Sequence, residues 1–252
     1  MPRRLILAAL ACAALIAPAA LAAPADDIAA AVADTSRPEG DVKRDADRKP
    51  AELLSFAGVK AGQTIVDLIP GGGYFTRLFS KAAGPTGTVY AVSPPPQPPA
   101  EGKPAKPDAI AALTADPGYA NVKAVTLGPS GFVLPTQADV LWTSQNYHDL
   151  HLARLKLDVP AINKAIFAAL KPGGLYIVLD HAATAGAPLE VADTLHRIDP
   201  AIVRKEVEAA GFKYEGESAI LRNPADDHSK IVFDPAVRGH TDQFVYKFRK
   251  PK

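Results

Sequence analysis

The side chains able to do acid–base or ligand chemistry near neutral pH fall in three short segments. "NYHDLH" (residues 146–151) carries His148, Asp149 and His151, and "DH" supplies Asp180 and His181. "RNPADDHSKIVFDPAVRGHTD" (residues 222–242) adds Asp226, Asp227, His228, Arg238 and His240, so five of the six histidines lie in these stretches. A neutral imidazole can take a proton from a substrate O–H or N–H, and a neighbouring carboxylate fixes its tautomer. His148, with Asp149 beside it, and His181 are therefore the general-base candidates. The same residue types bind metals. His148-x-x-His151 with Asp180, His181 and His228 offers donors for zinc or another divalent ion, but the spacing completes no fixed signature and no metal site is assigned. Arg238 would neutralise an anionic substrate or form a structural salt bridge. "HRID" (residues 196–199) reads as a capped helix start, with Arg197 a further candidate for the pocket.

A second group matters for what it lacks. In "VDLIPGGGYFT" (residues 66–76) an apolar strand carrying Asp67 runs into Gly71, Gly72 and Gly73, then an aromatic pair. Bare glycines allow positive φ and let a ligand approach the backbone. Amides opening the next helix can receive a carboxylate or phosphate. The dinucleotide fingerprint G-x-G-x-x-G fails at Thr76, and a P-loop's G-K-[ST] is absent. Ser93, followed by three prolines, stands where an acid would end the second strand. Asp67 reads as a ligand-site residue or as a buried carboxylate capping loop amides. Tyr74 and Phe75 read as helix-start packing.

The elements that must position these groups follow from periodicity. Strands are expected at "QTIVDLI", "GTVYAVS", "NVKAVTLG", "ADVLWTSQ", "GLYIVLDH", "KYEGESAIL" and "DQFVYKFRK". Helices are expected at "AELLSFAGV", "YFTRLFSKAAG", "DAIAALTADPG", "VPAINKAIFAALKPGG", stopped by Pro172 and the glycine pair, and "DPAIVRKEVEAAGF", capped by Asp199. The Pro-rich "PPPQPPAEGKPAKP" is an exposed spacer. This alternation predicts an α/β, doubly wound (Rossmann-like) seven-stranded sheet, mostly parallel, with an antiparallel last strand. Ligands in such sheets bind beyond the carboxyl ends of the strands, which gathers the glycines and the three polar segments at one rim.

This arrangement resembles the class I S-adenosylmethionine (SAM) methyltransferases. "VDLIPGGGYFT" is similar to their first motif, and "ALKPGGLYIVLDH" to their late helix–turn–strand element. More narrowly, "PGGGYFTRLFS", "NYHD" and "FDPAVRGHTDQF" resemble an exported branch of predicted methyltransferases. The resemblance covers residues 51–250. It implies that Asp67 organises the glycine turn, that Gly71, Gly72 and Gly73 border the amino-acid part of SAM, and that Ser93 and Asn146 belong to the cofactor site. In that family an acid ends the second strand and holds the ribose hydroxyls, a bidentate contact Ser93 does not provide.

Arg3 and Arg4, an apolar run and the A-L-A site at residues 20–22 read as a cleaved secretory signal. A lipoprotein site at Cys12 is the weaker reading. Residues 1–22 are thus the signal, residues 23–50 a polar lid or linker, and residues 51–252 the α/β domain, exported to the periplasm or secreted. Cleavage removes two of 28 basic residues, leaving 26 against 27 acids, a net charge of −1. Near-neutrality excludes a nucleic-acid binder that works by phosphate neutralisation, and the mature chain has no membrane partner. The expected partner is a small molecule, and oligomeric state is not encoded legibly. Three functions compete: a SAM-dependent methyltransferase, an exported non-catalytic protein binding a nucleoside or small anion, and a metal-assisted enzyme using the His/Asp rim.

Overall fold

A computed structural model of the chain describes residues 24–96, 104 and 107–252. The expected signal, and most of the Pro-rich spacer, lie outside these residues. The elements in chain order are α1 (Pro24–Val32), α2 (Glu39–Val42), α3 (Asp45–Arg48), α4 (Pro50–Phe56), β1 (Thr64–Leu68), α5 (Tyr74–Ala83), β2 (Thr88–Ser93) and α6 (Ala109–Ala115). There follow β3 (Val122–Thr126), β4 (Ala138–Ser144), α7 (Val159–Ala169), β5 (Leu170–His181), α8 (Val191–Leu195), α9 (Pro200–Ala209), β6 (Lys213–Ser218) and β7 (Gln243–Arg249).

The seven strands form one sheet in the order β3-β2-β1-β4-β5-β7-β6. β1 pairs in parallel with β2 and β4, and β7 runs antiparallel to both β5 and β6. The fold is the α/β, seven-stranded, Rossmann-like architecture expected. β1 is an interior strand, third in this order, and both of its faces are apolar. Ile65 joins the core beneath α4 and α5, whereas Val66 and Leu68 join the core beneath α7 and α9. On the first side Leu78 and Phe79 of α5 meet Trp142 of β4, with the Phe79 and Trp142 rings 5.7 Å apart. On the second, Ile162, Ile166, Val203 and Val207 pack over Tyr176, Phe244 and Phe248.

One boundary differs from expectation. α7 ends at Ala169, before Pro172, and β5 already begins at Leu170. Residues 171–174 form a bulge between the pairs Ala138–Leu170 and Val140–Leu175. Gly174 has to be bare: a Cβ there would lie 2.9 Å from the Lys171 carbonyl. "KPGG" therefore bends a strand as well as closing a helix. Asp199 caps α9 by accepting from the Ala201 amide at 2.8 Å.

Candidate functional site

The turn after β1 is held open by strained backbone. Ile69 has φ 55°, Gly71 56° and Gly73 80°. A β-branched residue in the left-handed region is a genuine outlier. Its conformation is fixed from outside, because Asn146 Nδ2 donates to the Ile69 carbonyl at 2.7 Å and to the Ser144 carbonyl at 2.6 Å. Gly71 and Gly72 are exposed, and a Cβ added to either would meet nothing within 4 Å. Open backbone thus lies at the carboxyl end of the central strand. Asp67 points under the turn, where its Oδ2 accepts from the Thr76 hydroxyl at 2.6 Å. Burial pushes its carboxyl up to about 7, against the lowering effect of that hydroxyl and the Arg48 charge. Ser93 ends β2, half-buried, and its carbonyl accepts from the Leu127 amide at 2.7 Å.

Residues 34–48 strap the start of α5. Arg37 forks onto Asp45 at 2.8 and 2.7 Å, and Tyr74 Oη donates to the same carboxylate at 2.6 Å. Arg77 bridges Asp41 at 2.6 Å and the Gly72 carbonyl at 2.8 Å. Beside this strap lies a cavity of about 570 Å³, lined by Arg44, Arg48, Phe75, Gln145, His181 and Arg238 among others. Arg48 Nη2 donates to Gln145 Oε1 at 2.6 Å, and its guanidinium sits 4.6 Å from the Tyr74 ring centroid. Burial lowers its pKa to about 10, so it stays charged at neutral pH. Among the described residues none of Arg44, Arg48 and Arg238 makes an ion pair with a carboxylate. Ser144, at the end of β4, also lines the cavity, and its Oγ has no hydrogen-bond partner there. Buried hydroxyls are almost always bonded, so this wall fits a polar ligand.

His181 reaches the cavity with Nδ1 2.6 Å from the Thr241 hydroxyl. Burial pushes its pKa down to about 4, against the pull of Asp180, so the ring is neutral at physiological pH. His148 is enclosed instead, at 3 % exposure, and does not line the cavity. Its Nδ1 lies 2.8 Å from Asp180 Oδ1, and its amide donates to Asp180 Oδ2 at 2.7 Å. Burial opposes charge on this imidazole, but Asp180 and Asp149 outweigh it and hold the pKa above the ordinary histidine value. The other ring nitrogen, Nε2, is 3.4 Å from Asp149 Oδ1 and 3.2 Å from His196 Nδ1.

The rim thus brings together Asp67, Gly71, Gly72, Asn146, His148, Asp149, Asp180 and His181. It does not assemble the metal set His148, His151, Asp180, His181 and His228. His151 pairs with Glu206 at 3.0 Å and His228 with Asp242 at 3.1 Å. Arg197 never reaches the cavity, because it is fully buried against Asp226 at 2.8 Å and anchors the β6–β7 loop. Asp227 is exposed, bound to the Ser229 hydroxyl at 2.6 Å. His240 is exposed too, 3.8 Å from Asp47. Sequence reasoning missed Arg44 and Arg48, which lay in the segment read as a lid or linker, and His196, which looked like a helix start. Nothing in their local spacing marks them, since each acts only through tertiary contact.

No family model matches the chain, and none of the curated proteins matches it. Solved structures share its fold. A SAM-dependent methyltransferase from Aquifex aeolicus is 16% identical over 79% of this chain and 88% of its own, with a TM-score of 0.53. Fibrillarin from Aeropyrum pernix, solved with natively bound SAM, is 17% identical over 81% and 76%, TM-score 0.51. The [4+2]-cyclase SpnF is 15% identical over 82% and 81%, TM-score 0.55. At such identities the likeness establishes the fold, and the cyclase illustrates that one fold hosts unlike chemistries.

Proposed function

We propose that the chain is a SAM-dependent methyltransferase acting on a small acidic molecule. The observation that carries this reading is the open backbone at Gly71 and Gly72, at the strand end where this fold binds ligands. The cavity whose lining includes Arg44, Arg48 and Arg238, with Asp47, does not include these glycines but takes in Phe75 and Ser144, close by in the chain and the fold. Gly71, Gly72 and Gly73 would border the amino-acid part of SAM, Asn146 would brace their turn, and Ser93 would meet the ribose with one hydroxyl. When bound, SAM supplies an electrophilic methyl group. The chain's own task is to align an acceptor and take its proton. Arg44, Arg48 and Arg238 would hold the acceptor's anionic group, and neutral His181, inside the cavity, would accept the proton. A non-catalytic binder on the same fold is the second reading, favoured by Ser93, which forgoes the bidentate ribose contact.

Calorimetry of the full chain with SAM and S-adenosylhomocysteine tests the first reading. Gly72→Val should fold, because its Cβ meets nothing within 4 Å, yet weaken both ligands at least about tenfold by filling the space they need. Small acids should stabilise the wild type more than their amides, and Arg238→Gln should erase that difference while leaving SAM affinity intact. Folded wild-type protein that binds neither nucleoside would sink the methyltransferase reading.

A further inference from the structure

The methyl-transfer reading leaves one cluster unused. His148 Nε2, His196 Nδ1 and Asp149 Oδ1 converge from two distant chain segments, with separations of 3.2, 3.4 and 3.8 Å. Donors bound to one tetrahedral zinc at about 2.0–2.1 Å stand about 3.3 Å apart. The triangle is therefore close to one face of such a tetrahedron. It is wider than the edge of an octahedron with the same bond lengths, about 2.9 Å.

Three further observations point the same way. His148 Nδ1 is tied to Asp180, whose second oxygen takes the His148 amide, which fixes the tautomer that leaves a lone pair on Nε2. A carboxylate of this kind behind a ligating histidine is the usual support of a metal site. His196, which supplies the third donor, holds a left-handed backbone, φ 53° and ψ 45°. Such strain persists where surrounding structure imposes it, and it gathers at functional sites. Finally, His196 and Asp149 remain 23 % and 25 % exposed while His148 is closed off, and the Phe233 ring covers His196 at 4.9 Å. Three ligands with one accessible side is the pattern of a zinc site that keeps a position for water or substrate.

We infer that His148, Asp149 and His196 bind a divalent transition-metal ion, zinc by geometry and donor type, with Asp180 orienting His148. This does not depend on SAM binding. The full chain, stripped with chelator and dialysed, should take up one equivalent of zinc by calorimetry. Cobalt should give the strong visible absorption of a four-coordinate site. His196→Asn tolerates the left-handed backbone but removes the imidazole, and should weaken zinc by about 100-fold or more. Asp180→Asn should weaken it about 10- to 100-fold without changing stoichiometry. His151→Gln and His240→Gln should bind as wild type. Stripped wild-type protein that takes up no stoichiometric zinc, or a folded His196→Asn that binds like wild type, would overturn the assignment. A metal-free, hydrogen-bonded histidine pair would produce the first result.

Discussion

Asp67 illustrates how one residue's surroundings set a measurable property of the whole chain. Its carboxyl is buried within the central strand, with the Thr76 hydroxyl against one oxygen, and burial pushes its pKa up to about 7. The unfolded chain releases this proton near the ordinary value of 3.8. Between those values the native state holds a proton that the unfolded state has lost. Stability from this group is thus complete below about pH 4 and is lost as pH rises toward 7, by a few kcal/mol at most. Asp67→Asn keeps an acceptor for Thr76 and has no proton to lose. Urea denaturation should therefore show the variant gaining on wild type from pH 4.5 to 7.5, and a constant difference would mean that Asp67 ionises normally. Residue types made Asp67 and the glycines legible in the sequence. Thr76 counted in the sequence only as the position where the dinucleotide fingerprint fails, and the structure makes it Asp67's partner. His196 was not legible at all, since its role comes from a backbone conformation and a neighbour 48 positions away.

Among the elements, the strap of α2 and α3 is the one whose purpose local sequence hides. "TSRPEGDVKRDADRKP" reads equally as a solvated linker or as a lid over the domain; in the structure Arg37 is fully buried and bidentate to Asp45, which also receives the Tyr74 hydroxyl. Alternating charge cannot reveal which partner each side chain finds. Arg37→Ala would leave Asp45 with Tyr74 alone and should cost roughly 3 kcal/mol, the scale of breaking one side of a buried pair. Because Arg44 and Arg48 sit on this strap and line the cavity, the variant should also be cut sooner by trypsin within residues 37–49. Unchanged cleavage and stability would show that the strap does not depend on that pair. The α7–β5 boundary has a different explanation. Pro172 and its glycines carry the usual mark of a helix end, and the same residues also suit a strand bulge. Pairing with β4 decides between them.

At the scale of the molecule, the strand and helix pattern was legible because β1, β2 and β4 are apolar runs, as strands buried on both faces must be, the first two set between glycine or proline residues. The order of the seven strands comes only from the structure. The same pattern placed the α/β domain at residues 51–252, after a polar lid or linker over residues 23–50. The first core residues among those described are Ile28 and Ala31, in α1, which packs on α5. We propose that the chain is exported and cleaved after Ala22 or Ala23, immediately before α1, so that the mature protein keeps this contact. Removal of residues 1–22 should then leave the melting temperature within about 1 °C of the full chain. Removal of residues 1–49 strips Ile28 from the core and takes Asp41 and Asp45 from Arg77 and Tyr74. Lost apolar burial and unpaired groups together should amount to about 3 kcal/mol, which lowers the melting temperature of a domain this size by roughly 6–12 °C. The longer deletion should also lose the preference for small acids over their amides, since Arg44 and Arg48 leave with it. Two observations would break the argument: an exported protein whose mass retains Met1, or a 1–49 deletion that melts like the full chain.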